Sequence, residues 1–151
     1  MIFIIGASGL IGGNILNYLK KKNYRVEGSY FKNKKKRLLH FDIAKHDIEK
    51  LKIKEKINYI IIASAINVNL DDTKKDLKNS YFINVTKTKK IIDYFFKNKI
   101  IPIYLSSDGV FDGKKGNYNE SDKKMPLHSY GKNKKEKEKY ILKKKRKYII
   151  I

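Results

Sequence analysis

The sequence predicts an α/β fold, a doubly wound parallel sheet in three layers, α/β/α. Three observations carry the prediction. Short apolar runs alternate with longer amphipathic stretches, as in parallel strands wrapped by helices. Several of the runs are continuous and β-branched, as strands covered on both faces must be. A turn with glycine at every third position, GASGLIG, follows the first run and opens the first amphipathic stretch.

Taken in order, the predicted strands are Ile2–Ile5, Arg25–Tyr30, Leu38–Phe41, Tyr59–Ala63, Ile100–Leu105 and Tyr148–Ile151. The predicted helices are Leu10–Lys22, a short one at Asp47–Leu51, Ser80–Lys97 and Ser129–Lys144. In the third, Phe82, Val85, Ile92, Phe95 and Phe96 recur at helical spacing. Lys32–Arg37 reads as a basic loop, and Asp108–Leu127 as a long one rich in Gly, Asn, Asp and Lys. The chain ends inside its sixth strand, YIII, with no turn or polar tail after it. The expectation is one domain, residues 1–151, forming the N-terminal part of a longer protein.

Composition narrows the chemistry. There is no cysteine, so disulfides and thiolate metal sites are excluded. His40, His46 and His128 are scattered, and no metal site is predicted. The longest nearly apolar run, Tyr59–Ile66, is far short of a membrane span, and MIFIIGASG lacks the basic start of a signal peptide. A cytoplasmic location is expected, with no membrane partner. The net charge is +21, which would suit a polyanion. Yet the arginines are only Arg25, Arg37 and Arg146, the lysines are spread along the chain, and no nucleic-acid-binding signature accompanies them. No nucleic-acid partner is therefore expected.

The glycine turn points to a dinucleotide. Gly6 permits a tight exit from the strand, Gly9 lets backbone approach a diphosphate, and Gly12 lets the helix pack close to the sheet. The free N–H groups of the helix start then face the phosphates. Gly6, Ser8, Gly9, Leu10, Ile11 and Gly12 are the candidate contacts. The acid that would hold a ribose 2′-hydroxyl is absent near Ser29 and Tyr30, and Lys32, Lys34 and Arg37 follow instead. These cations would welcome a 2′-phosphate, which favours NADPH over NADH; the alternative is a solvated loop. Ala63, Ser64 and Ala65 end the fourth strand with small side chains that leave room for a cofactor.

The second constellation follows the fifth strand: LSSDGVFDG, then NESD, then PLHSYGKNK. Tyr130 and Lys134 lie four residues apart, so a helix places them on one face. The ammonium group and a positive nicotinamide ring are expected to lower the phenol from its ordinary value of about 10. Tyr130 could then protonate a carbonyl oxygen as hydride reaches the carbon. Ser107, rather than Ser106, would orient that oxygen.

These motifs, in this order, resemble the extended short-chain dehydrogenase/reductases, and among them the dTDP-4-dehydrorhamnose reductase family. The glycine spacing resembles the short-chain version of the Rossmann-like fingerprint. SSDGVFDG resembles the family's S-T-D-Y-V-F-D-G, and YNESD with PLHSYGKNK resembles Y-x-E-x-D and P-x-x-x-Y-G-x-x-K. The resemblance covers essentially the whole chain. It implies Ser107, Tyr130 and Lys134 as catalytic residues. It implies that Tyr130 and Lys134 also contact the cofactor, Lys134 holding the nicotinamide ribose, and that Tyr30, Lys32, Asp42 and Ile43 border the adenosine. For Asp42, a helix-capping role is the alternative. The implied substrate is a 4-keto-6-deoxy nucleotide sugar, with an epimerase, a dehydratase or a non-catalytic regulatory subunit as alternatives. The family's substrate domain is expected to be missing, and a homodimer through the helices holding Ser80–Lys97 and Tyr130–Lys144 is implied. Two residues depart from the pattern: Gly109 stands where the family has tyrosine, and Ser107 where it has threonine.

Overall fold

The computed structural model describes residues 1–51, 53, 55–66 and 74–151. Strands β1 (Ile2–Ile5), β2 (Val26–Tyr30), β3 (Leu39–His40), β4 (Tyr59–Ile62), β5 (Ile101–Tyr104) and β6 (Ile149–Ile150) form one parallel sheet in the order β3-β2-β1-β4-β5-β6. The chain runs outward from β1 to β3 and then crosses back to place β4 on the other side of β1. The strand order reverses there, and ligands of such sheets sit at the carboxyl ends of the strands at that point.

The β-branched runs become strands because they are buried on both faces. Successive side chains point to opposite sides. Ile4 and Ile61 pack with Leu16 of helix α1 (Leu10–Lys21) on one face. Phe3, Ile5 and Ile60 pack with Ile91 and Phe95 of helix α3 (Thr88–Lys97) on the other. A third cluster, Ile62, Ile92, Tyr104 and Ile141, joins β4 and β5 to α3 and to helix α4 (Ser129–Lys143). Each fully buried Ile or Phe in these layers contributes about 1.5–3 kcal/mol relative to exposure.

The boundaries differ from the sequence expectation in instructive ways. Most strands are a residue or two shorter, with single cross-strand backbone bonds, such as Ala63 N–H to the Ile5 carbonyl (3.0 Å), running on past their ends. Ala63 and Leu105, for example, lie just past β4 and β5. The helix expected from Ser80 begins earlier, with α2 (Lys74–Tyr81). Its first turns, KKDLK, have one apolar residue and no periodicity to read. Between α2 and α3 the chain widens into a π-helical segment, Phe82–Lys87. Thr88 Oγ donates to the Ile83 carbonyl (3.0 Å) beside that widening. The expected helix near Asp47–Leu51 is one 3₁₀ turn, Ile48–Lys50, and a second 3₁₀ turn, Asp108–Val110, opens the long loop after β5. Among the described residues, no helix is long and apolar enough to cross a membrane.

Candidate active site

The glycine turn is held from below by packing and from the side by β2. Gly6 adopts φ +87°, a conformation that costs glycine nothing. A Cβ on Gly12 would lie 2.3 Å from the Gly6 carbonyl oxygen, so α1 can approach the turn this closely only without a side chain there. Gly9 N–H donates to the Gly6 carbonyl (3.0 Å), and Gly6 N–H to Ser29 Oγ (3.2 Å) at the end of β2. Ser29 is buried and marks what the sequence reasoning missed: the residue near the expected acid position braces the turn. The start of α1 has no side-chain cap and no acid in its first turn, which leaves its N–H groups to an anion. Leu10 and Ile11 are exposed on that first turn.

A cavity of about 130 Å³ lies beside the turn, between the ends of β1, β2 and β4. Of the expected residues it is lined by Gly6, Tyr30, Asp42, Ile43, Ser64 and Ala65. It adds Phe31, Ile66 and Ile83, which sequence reasoning did not single out. The two readings of Asp42 meet here. Its carboxylate caps the following turn by accepting from Ala44 N–H (2.9 Å), and the residue also lines the cavity. Asp42 N–H donates to His46 Nδ1 (3.0 Å). Ala63 lies against Gly6, within 3.1 Å of where a Cβ there would sit. Lys32 is exposed with its ammonium over the Phe31 ring, and Lys35 extends its amine to within 3.8 Å of a Cβ position on Gly13, in the first turns of α1.

One buried polar network ties this side to the helix bearing the Tyr–Lys pair. Asn84, in the π-helical segment, accepts from Ile66 N–H (2.8 Å) and donates to the Ile66 carbonyl (2.6 Å) and to Ser80 Oγ (3.0 Å). Asn133 on α4, next to Lys134, donates to the same Ser80 oxygen (3.4 Å). Asn84 is 1 % exposed, so its removal strands buried groups. Asn84→Ala is expected to cost about 2–3 kcal/mol of stability, read as a lowered urea midpoint with unchanged m. An unshifted midpoint would show that water replaces the side chain.

At the end of β5, Lys134 is 6 % exposed and its ammonium donates to the Leu105 carbonyl. It sits 5.3 Å from the Tyr130 ring centroid and 5.1 Å from that of Tyr104. The sequence thus placed Tyr130 and Lys134 together correctly. Burial pushes the Lys134 ammonium down to about 8, opposed by the Glu138 carboxylate. The expected lowering of Tyr130 does not occur within the chain. Burial raises the half-buried phenol above its ordinary value. Glu138 is itself buried and accepts from Ser106 Oγ and from Lys124 Nζ. Ser106 is therefore engaged, whereas Ser107 Oγ accepts from Gly109 N–H (3.1 Å) and donates to Asp108 (3.1 Å) in the 3₁₀ turn. That turn abuts the start of α4: a Cβ on Gly131 would lie 1.9 Å from the Gly109 carbonyl oxygen. Ser106, Ser107, Tyr118, Asn119 and Glu138 border an open cavity of about 530 Å³. Among the described residues, no group of His, Asp and Glu side chains could hold a metal ion.

A glycine turn at the switch point of a doubly wound parallel sheet, with a tyrosine–lysine pair at the end of a nearby strand, places this chain in the class of Rossmann-like α/β proteins. The family described as RmlD substrate binding domain matches residues 1–151, and the chain belongs to that family. It is 27 % identical over 139 residues to methionine adenosyltransferase 2 subunit beta of Xenopus tropicalis, covering 92 % of this chain and 42 % of that protein. It is 32 % identical over 93 residues to dTDP-4-dehydrorhamnose reductase of Aggregatibacter actinomycetemcomitans, covering 61 % of this chain and 32 % of that one. The crystal structure of a hypothetical dTDP-4-dehydrorhamnose reductase from Sulfolobus tokodaii superposes with a TM-score of 0.79 at 28 % identity, covering 93 % of this chain and 51 % of that chain. The chain thus spans about half, or less, of the length of these relatives.

Proposed function

We propose that the protein is an NADPH-dependent reductase of a 4-keto-6-deoxy nucleotide sugar, with dTDP-4-dehydro-L-rhamnose as the leading substrate. The observation that carries this reading is the Tyr130–Lys134 pair at the end of β5, at the same carboxyl end of the parallel strands as the glycine turn after β1. The turn fits a dinucleotide by its own geometry: an uncapped helix start, a carbonyl packed where no Cβ fits, and a cavity beside it. Gly6, Ser8, Gly9, Leu10, Ile11 and Gly12 hold the diphosphate. Tyr30, Lys32, Asp42 and Ile43 border the adenosine, and Ala63, Ser64 and Ala65 leave room for the remainder. Bound NADPH supplies the hydride. Tyr130 gives its proton to the carbonyl oxygen, Ser107 orients that oxygen, and Lys134 stabilises the phenolate and holds ribose hydroxyls. In this reading the chain is one cofactor-binding domain, residues 1–151, of a cytoplasmic enzyme that pairs as a homodimer through α3 and α4.

Titrating NADPH into the protein and following its fluorescence tests the cofactor assignment, and following its absorbance with the keto-sugar nucleotide tests the reaction. Saturable binding with substrate-dependent oxidation is expected; absence of binding overturns the reading. The preference for the phosphorylated cofactor rests on Lys32, Lys34, Arg37 and the reach of Lys35 to α1. Lys35→Glu is expected to weaken NADPH about 3- to 10-fold, the worth of one exposed charge contact, and NADH hardly at all. Equal loss for both cofactors would assign Lys35 to the diphosphate instead.

A second reading has its own support in the similarity to a protein named as a subunit of an adenosyltransferase. There the chain binds the cofactor and regulates a partner without turnover. NADPH binding with no oxidation of any keto-sugar nucleotide tried would favour it.

A further inference from the structure

Tyr104 lies on β5, 1 % exposed, and no function assigned above uses it. Its hydroxyl has no hydrogen-bond partner among the described residues. A buried phenol ordinarily finds one, because stranding the hydroxyl costs free energy that a phenylalanine would not incur. The ring, by contrast, is doubly occupied. Lys134 Nζ stands 5.1 Å from its centroid and Lys137 Nζ, on the next turn of α4, 5.0 Å. Both lysines are buried. A cation over an aromatic face is held by the ring quadrupole, and most strongly where water is excluded. The Lys134 ammonium is therefore bounded by two aromatic faces, Tyr104 and Tyr130, and by the Leu105 carbonyl.

We propose that Tyr104 is a positioning residue: its ring, and not its hydroxyl, fixes the Lys134 ammonium against Tyr130. Its bearing on catalysis rests on the reading of Tyr130 and Lys134 as the reacting pair; the placement of Lys134 does not. A role confined to filling the core among Ile62, Ile92 and Ile141 would be served by any apolar side chain of similar volume.

The two roles separate in the protein labelled with ¹³C at lysine Cε, with the Lys134 resonance assigned by its loss in Lys134→Met. The resonance is expected to be ring-current shifted, to keep that shift in Tyr104→Phe, and to lose it in Tyr104→Leu. Tyr104→Met, which also fills volume without a ring, replaces the leucine variant should that one fail to fold. In the reductase assay the phenylalanine variant is expected to retain kcat, and the ringless variant to lose about 10-fold or more through misplacement of Lys134. A Lys134 shift that survives loss of the ring, or that changes when only the hydroxyl is removed, overturns the proposal. Failure of NADPH to bind would instead strike the functional reading and leave the resonance result standing.

Discussion

Tyr130→Phe is expected to slow keto-sugar reduction by about 10²- to 10⁴-fold, the usual worth of a positioned general acid, while leaving NADPH binding within about 2-fold. The substitution removes one oxygen and keeps the ring that faces Lys134 at 5.3 Å. The phenol is half-buried, and that burial raises it above its ordinary value, so at neutral pH it stands protonated and ready to donate. In the proposed reaction, Lys134 would supply the positive charge on which a phenolate depends after the proton leaves. Burial lowers that ammonium to about 8, and the donated bond to the Leu105 carbonyl and the Glu138 carboxylate favour the charged form. Proton donation is therefore expected to weaken as pH rises through about 8, where Lys134 loses its charge, and before the phenol itself ionises. Stopped-flow NADPH oxidation against pH, with cofactor fluorescence as the binding control, reads both effects. Oxidation that is unchanged in the phenylalanine variant would remove Tyr130 from the reaction, and with it the oxidoreductase reading of the site.

How far the sequence reveals this site depends on whether the signal is local. Gly6, Gly9 and Gly12 announce themselves because the turn, the close approach and the helix start are all made within one short stretch. Tyr130 and Lys134 share a helix face by their spacing, and the order of the motifs before them, glycine turn and then Ser-Ser-Asp after a strand, singles them out from the other tyrosines and lysines. What stayed hidden depends on contacts across the fold. Ser29 braces the Gly6 N–H from another strand, and Asn84 completes both backbone bonds of Ile66 from a helix. Nothing in SYF or FINV signals those partners. Burial of lysine is hidden for a different reason. In KNKKEKEK every lysine has the same local chemistry, and only the packing of α4 on β5 turns Lys134 and Lys137 inward. Burial of Tyr130 is hidden in the same way, and within the chain by itself it raises the phenol. Spacing reveals the neighbouring ammonium, whereas desolvation is supplied only by the fold.

Lys137 makes the strongest case for a measurement on the protein alone. It is 1 % exposed, and burial together with the Lys134 charge pushes its ammonium down to about 7, while an unfolded chain would hold it at about 10.4. Between these values the unfolded state binds a proton that the folded state does not, so stability rises with pH from about 7 to about 10. Below about 7 both states carry the proton, and the folded state bears the full cost of a buried cation. Lys137→Met removes that cost and places an apolar chain of similar length over the Tyr104 ring. The variant is therefore expected to be more stable than the wild type at neutral pH, by on the order of 3–5 kcal/mol, with the two converging near pH 10. Surface lysines titrate alike in both proteins and cancel in the difference. Lys134 leaves a smaller rise in the variant, beginning near 8. Urea unfolding at several pH values measures the gap directly. Curves that run parallel would mean that Lys137 keeps its proton in the fold, and that α4 pays for two adjacent buried charges instead of one.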